Sequence, residues 1–236
     1  MRLPIRGTLL NTATVAVGAT AGCALGKGIP TEYQQVALSG LGLVVCLIGV
    51  KMFLESKNAI VVIAAIACGG ILGTMMHIAP GLAAFAEQVR TQFGGEGTFT
   101  EGLITASVLF CVGPMTLLGC LQDGIEGKIE LLAVKSTLDG ISSFFLAAAL
   151  GRGVIVTAAV VLVVQGSLTL AARPLHRVAK DPELIAEATA VGGALMLGIG
   201  FSVLKIAKLS METYTPALVL APSFVAAARR IERKPA

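Results

Sequence analysis

The chain has 236 residues, of which 55% are hydrophobic and 14% are charged, and its formal net charge is +4. Soluble globular domains carry about 25% charged residues, so this composition excludes an ordinary water-soluble protein. It predicts that residues 1–236 form a single membrane domain. The small basic excess is read as a topology signal, and we expect no nucleic-acid partner.

Apolar runs of about 17 to 22 residues follow one another over residues 9–228, and a bilayer needs about 20 such residues per helix. The runs predict an all-α, polytopic transmembrane helix bundle of about eight helices. Breaks at glycine, proline and charged residues place these helices at 8–26, 35–54, 59–79, 100–121, 131–150, 153–172, 186–207 and 212–228. Pro216 and Pro222 make the last segment a candidate for a broken or partial crossing.

The first helix could be mistaken for a cleaved signal, because Arg2 and Arg6 precede its apolar run. Thr20 stands where a lipoprotein cleavage box prefers leucine, so we expect a retained helix. The one long connection, 80–99, has apolar residues at helical spacing and predicts a short amphipathic helix at the outer interface. Its role is either a simple connection to a distant helix or a gate.

Charge placement tests the number of crossings. With an even number, 13 of the 18 basic residues fall on one side of the membrane, including those at 229–234. Because lysine and arginine are enriched in cytoplasmic loops, both termini are expected in the cytoplasm, with the chain in a bacterial inner membrane. Seven crossings would leave the basic C-terminal run outside.

Glycines at four-residue spacing predict helix faces that pack closely. Gly18, Gly22 and Gly26 form one such face, and Gly69 and Gly73 form another. Membrane lipids are the expected surroundings, and the glycine-rich faces also suggest a homo-oligomer. The five cysteines all lie in apolar runs and are expected to be inert thiols.

A weak internal repeat is present. A shift of 95 residues brings Gly7 and Gly18 onto Gly102 and Gly113. The repeats would be 7–79 and 100–172, with additional helices in 186–228. An odd number of helices per unit would invert the second unit, an arrangement common in secondary transporters, whose substrates bind near the midplane. Chance similarity between glycine-rich helices is the alternative.

The richest polar stretch begins at Ser107. Pro114 cannot donate a hydrogen bond to the carbonyl of Phe110, and Gly113 weakens the helix further, so a break is expected near mid-membrane. Carbonyls freed at that depth need a partner, which could be a hydroxyl group, water, an ion or a substrate. The structural alternative is a packing kink satisfied by serine or threonine.

Asp139 is the most costly residue, because it lies about 12 Å inside its predicted helix. Lys135 lies one turn earlier and can pair with it on one helix face. The pair either carries a function or neutralises itself in a polar seam. Ser136, Asn11 and Gln165 are weaker candidates, which bond between helices or contact a ligand.

Metal and cofactor sites are not expected. His77 follows Met75 and Met76, which could suggest a soft metal, but no second histidine or acidic ligand is suitably spaced. Hydrolase, P-loop and dinucleotide motifs are absent from the sequence, so no cofactor and no enzymatic activity are predicted.

Four motifs are distinctive: Gly7-Thr8-x-x-Asn11, Phe110-Cys111-Val112-Gly113-Pro114-Met115-Thr116-Leu117-Leu118-Gly119, Lys135-Ser136-Thr137-Leu138-Asp139 and Pro216-Ala217-Leu218-x-x-Ala221-Pro222. Through them the chain resembles, over nearly its whole length, the bacterial domain-of-unknown-function 554 family of YqgA/YdfK-type inner-membrane proteins. The resemblance implies a multi-pass inner-membrane protein, often described as a possible transporter, and supplies no activity.

The combined features favour a secondary transporter or channel-like protein for an unknown small solute or ion. Freed carbonyls would act as ligands, Asp139 as proton or cation carrier, and Lys135 as its tuning partner. The alternative is a non-transporting membrane scaffold or lipid-binding protein. The two hypotheses differ in whether a cavity lined by polar side chains reaches Asp139.

Overall fold

The computed structural model describes residues 5–26, 28–93, 97–111, 114–172 and 181–232. These ranges contain ten α-helices, one 3₁₀ helix and no β-strand, which confirms the all-α class. The helices are α1 (Arg6–Gly26), α2 (Thr31–Phe53), α3 (Ala59–Met75), α4 (Ile78–Phe93), α5 (Phe99–Cys111), α6 (Pro114–Glu126), α7 (Glu130–Leu150), α8 (Gly153–Leu170), α9 (Pro182–Val203) and α10 (Ala217–Glu232), with the 3₁₀ helix at Met211–Tyr214.

Five helices, namely α1, α2, α7, α8 and α9, are long and apolar enough to cross a membrane. Two bent pairs raise the number of candidate spans in the described ranges to seven: α3 with α4, bent by 55°, and α5 with α6, bent by 59°. The predicted helix at 59–79 is therefore interrupted, because His77 adopts a left-handed φ of 53° after α3 ends. The eighth predicted segment, 212–228, divides between the 3₁₀ helix and the 16-residue α10.

The predicted glycine face of α1 packs against α7. Gly18 faces the backbone of Gly140, Gly22 faces Phe144 and Gly26 faces Ala148. Residue numbers rise together along both helices, so the pair runs in parallel. A side chain at any of these three glycines would meet the backbone of α7, which explains why the helices can approach only through glycine.

Glycine contacts also hold the second half of the bundle together. Gly49 of α2 faces the carbonyl of Gly193 in α9, and the two helices run antiparallel. Gly69 packs against Ala217, while Gly73 faces Thr213. Both glycine faces that the sequence predicts are thus used within the chain, and α10 folds back along α3.

Contacts between the ends of different helices identify the two ends of the bundle. At one, here called the Gly7 end, Gly7 of α1 meets Asp123 near the end of α6, and Thr8 meets Thr169 near the end of α8. At the other, the Gly26 end, the side chain of Gln34 donates to the carbonyl of Gly26. Thus α1 and α7 start at the Gly7 end, while α6 and α8 finish there, so these segments alternate in direction.

The last helix returns to the Gly7 end. Arg229 of α10 forms ion pairs with Asp181 and Glu183 at the start of α9. Glu187, one turn further along α9, binds the turn between α2 and α3. The start of α9 lies at the Gly7 end of the bundle. The last turns of α10 contact it, so α10 ends at the level where α1 begins.

The outer surface is strongly apolar. Large side chains on several helices are more than half exposed, among them Leu47, Ile60, Ile71, Val163 and Val219. A water-soluble monomer rarely exposes apolar patches of this extent. The protein is therefore a membrane protein, and these side chains form its lipid-facing surface.

Candidate functional site

A charged pair lies in the middle of the bundle. Lys135 and Asp139, one turn apart on the inner face of α7, form an ion pair and are only 6% and 7% exposed. The amide nitrogen of Asn11 on α1 donates to the same carboxylate oxygen of Asp139 at 2.9 Å. The structure therefore brings together three of the predicted site residues from two helices.

Phe110 and Ser136 lie next to this pair. The ammonium of Lys135 lies 6.0 Å from the ring centroid of Phe110 on α5, a cation–π distance. Ser136 is buried, but its hydroxyl donates to the carbonyl of Leu132 in the preceding turn. Phe110 thus contributes its ring to the cluster, and Ser136 uses its proton within α7.

The break between α5 and α6 supplies its own hydrogen bond. Pro114 is the first residue of α6, while Gly113 lies outside the described residues. The carbonyl oxygen of Phe110 accepts a hydrogen bond from the buried hydroxyl of Thr116 at 3.2 Å. This is the hydroxyl partner that the packing-kink alternative predicts. A ligand role for this carbonyl stays a prediction that depends on its second lone pair.

Two predicted polar residues are buried but not bonded to the cluster. Gln165 on α8 is fully buried and neither atom of its amide has a hydrogen-bond partner in the protein. The hydroxyl of Ser107 on α5 is also buried without a partner. Neither residue bonds two helices together, so the structural alternative does not account for them.

Two buried acids were not among the predicted site residues. Asp123 accepts from the backbone nitrogen of Gly7 at 2.7 Å and so caps the start of α1. Glu187 accepts from the hydroxyl of Ser56 at 2.8 Å and from the next two backbone nitrogens, which caps the start of α3. Acidic residues favour helix N-termini, but the sequence does not reveal which helix each acid reaches.

The ion pairs of Arg229, which hold α10 against α9, are more exposed than the pair of Lys135 and Asp139. The carboxylate of Asp181 caps α9 through the backbone nitrogens of Glu183 and Leu184, and it also accepts from Arg229. The hydrogen bonds from this guanidinium lower the pKa of Asp181 to about 2. Asp181 is therefore a carboxylate at every physiological pH.

Two cavities open on the described part of the bundle, and neither includes Asp139. One, of about 160 Å³, opens at the Gly26 end and is lined by polar residues such as Gln35, Thr105 and Lys205. The other is a groove of about 640 Å³ along the α1–α7 seam, lined by Thr14 and Ser136 among mostly apolar groups. Neither Lys135 nor Asp139 lines either cavity, although the groove reaches their neighbours Ser136 and Gly140.

No group of three histidine, cysteine or acidic side chains in the described ranges is placed to hold a metal ion. The cysteines described there form no disulfide bond with one another, and His77 hydrogen-bonds with its own turn through the carbonyl of Met75. The chemistry available to the central cluster is thus that of one carboxylate, one ammonium and several uncharged polar groups.

The comparisons with known proteins agree with the motifs. Residues 6–226 match the family model described as "Protein of unknown function (DUF554)". The chain is 33% identical over 220 residues to "Uncharacterized membrane protein YdfK" of Bacillus subtilis, covering 92% of this chain and 93% of the relative. It is 26% identical over 227 residues to "Uncharacterized protein YqgA" of Escherichia coli, covering 94% and 96%. No solved structure matches significantly. The chain belongs to the DUF554 family of membrane proteins.

Proposed function

We propose that the protein is a secondary transporter or channel-like protein for a small solute or ion, with no enzymatic activity. The observation that carries this proposal is the ion pair of Lys135 and Asp139, which is buried near the middle of α7. Asp139 lies nine residues after Glu130, or about 14 Å along the helix. Charged residues at such depth are costly and are retained mainly along ion or substrate pathways.

The surroundings of the pair support a role in exchange. Asp139 is held by Lys135 from its own helix and by Asn11 from α1, so it can release one partner while keeping the other. The ring of Phe110, which belongs to the broken α5–α6 pair, faces the ammonium of Lys135 and forms an apolar wall of the site. In a transporter the buried pair corresponds to an occluded state, in which the cargo or a proton would displace Lys135 from Asp139.

The burial of the pair also favours the second candidate, a non-transporting scaffold or lipid-binding protein. Buried ion pairs can serve as neutral polar seams, and neither cavity described above includes Asp139. The open groove beside α1 and α7 would then take lipid chains. This candidate predicts that no solute crosses the membrane through the protein.

We further propose a bacterial inner-membrane location with both termini in the cytoplasm. Basic residues are concentrated near the Gly7 end, which includes the ends of α2 and α10. The return of α10 to this end through Arg229 supports an even number of passages, with α10 as a short last one. An inverted repeat of 7–79 and 100–172 would supply alternating access and stays a prediction.

Flux measurements in proteoliposomes test the function. The panel comprises protons, monovalent cations and small anions, and the variants are Asp139→Asn and, as matched control, Glu130→Gln at the exposed start of the same helix. We expect Asp139→Asn to abolish a flux that Glu130→Gln retains. A flux unchanged in Asp139→Asn would remove the role of Asp139. No flux from the wild-type protein over the whole panel would favour the scaffold.

A further inference from the structure

Unpartnered polar atoms are concentrated in one part of the interior. Seven buried side-chain atoms in the described residues lack a hydrogen-bond partner. Five of them belong to four residues: one each to Asn11, Thr12 and Asp123, and two to Gln165. The other two belong to Ser107 and Thr189. Such atoms are rare in proteins, and each calls for an explanation. Buried polar groups that lack protein partners are commonly bridged by internal water.

Contacts place Asp123 at an interface of α1, α6 and α8. Asp123 meets Gly7 at the end of the bundle, and the hydroxyls of Thr8 and Thr169 lie 3.1 Å apart beside it. Gly124 packs against the carbonyl of Thr169, which closes the three-helix contact. This interface therefore begins at the Gly7 end.

The same register leads inward to the charged pair. α1 and α8 run antiparallel from the contact of Thr8 with Thr169, so one turn deeper Thr12 of α1 reaches the level of Gln165. Asn11, next to Thr12, donates to Asp139. From Gly7, which contacts Asp123, to Asn11 is four residues, or about 6 Å along the axis, a gap that two or three waters at about 2.8 Å spacing can bridge.

We propose that a hydrated polar path runs from Asp123 at the Gly7 end to Asp139 and carries protons between them. This inference rests on the proposed function for the role of its end point, and it names the proton as the coupling ion. If the waters were isolated and only structural, the unpartnered atoms would be scattered through the interior. Here the unpartnered atoms follow one another from the carboxylate of Asp123, at the bundle end, to the buried carboxylate of Asp139.

The chemistry is a series of proton transfers between oxygen atoms. A proton from water at the Gly7 end binds the carboxylate of Asp123, and each transfer breaks one O–H bond and forms another. Waters and threonine hydroxyls relay it, while the amide of Gln165 holds a water in place. At Asp139 the proton neutralises the carboxylate, which releases Lys135 as an unpaired cation able to meet an anionic or polar cargo.

Other titratable groups lie close to the two carboxylates. Arg6 acts electrostatically on Asp123 at the entrance. Lys135 acts on Asp139, and the thiols of Cys111 and Cys120 lie within the influence of Lys135.

Radiolytic hydroxyl labelling with mass spectrometry tests the path without requiring transport. Radicals form at internal waters, and Cys120, a buried thiol that contacts Thr169, is a natural reporter. In membrane-embedded full-length protein, Gln165→Leu should slow labelling of Cys120 about fivefold, because its apolar side chain cannot hold water. Thr189→Val, which removes an unpartnered buried hydroxyl on α9, should leave the labelling unchanged. Thr12→Val is the second path variant should Gln165→Leu fail to fold.

Proton flux in proteoliposomes is measured on the same variants. We expect Gln165→Leu or Thr12→Val to reduce Asp139-dependent proton flux, and Gln165→Asn to restore part of it. If labelling responds as expected but the wild-type protein carries no flux, the path stands and the transport function is wrong. If flux depends on Asp139 while both path variants leave labelling and flux unchanged, the path is overturned.

Discussion

The α1–α7 seam yields the sharpest prediction about stability, through Gly18→Ala. A Cβ atom at Gly18 would lie 3.1 Å from the carbonyl carbon of Gly140 and closer still to its oxygen, so the helices must move apart. Gly140 follows Asp139, whose 2.9 Å hydrogen bond from Asn11 crosses the same seam. Separation would lengthen that bond as well.

Two costs combine in this variant. Forcing an extra methyl group into a packed interface costs about 1–3 kcal/mol. Weakening a hydrogen bond to a charged group costs about 1.5–3 kcal/mol if the bond is lost entirely. Helix propensity offsets less than about 1 kcal/mol, because alanine is the better helix former. We therefore expect a net loss of about 2–3 kcal/mol in the free energy of unfolding.

The matched control is Gly40→Ala, since an added Cβ at Gly40 in α2 meets no atom within 4 Å. There the propensity gain acts alone and should raise stability by about 0.5–1 kcal/mol. Reversible unfolding in mixed micelles, followed by circular dichroism, measures both variants. Equal stability of Gly18→Ala and Gly40→Ala would refute the close approach of α1 and α7.

Two further predictions concern the ion pairs. The lowered pKa of Asp181, about 2, means that its pairing with Arg229 is fully present above its ordinary pKa of 3.8 and is lost as the pH falls from about 4 to 2. Arg229→Gln should flatten the pH dependence of α10 docking in that window, measured by proteolysis of the C-terminal segment; an unchanged profile would contradict the pairing. For the buried pair, Lys135→Met or Asp139→Asn alone should destabilise by about 3–5 kcal/mol, because one partner is left unpaired. Replacing Lys135 by Met and Asp139 by Leu together should recover most of the stability but none of the flux, and a double variant as unstable as the singles would argue against a direct pair.

Much of the helical structure could be predicted from the sequence, because a membrane helix depends on the composition of its own segment. Every predicted apolar segment overlaps a helix, since a span requires a continuous apolar run whatever its neighbours are. The contact of Lys135 with Asp139 was equally local, because residues four apart share a helix face. The break before Pro114 follows from the missing donor of proline. The bend after Met75 did not, since it depends on the left-handed conformation of His77 rather than on a glycine at the turn.

Only tertiary packing decided which faces meet. The sequence shows that Gly18 belongs to a closely packing face, but not that this face meets Gly140. Asn11 and Asp139 are 128 positions apart and bond because that seam brings α1 and α7 together. Likewise Asp123 and Glu187 become caps of distant helices only in the folded bundle. Periodicity sets the depth and face of a residue through the rise of one helix, whereas its partner across an interface depends on how whole helices fit, which no single segment encodes.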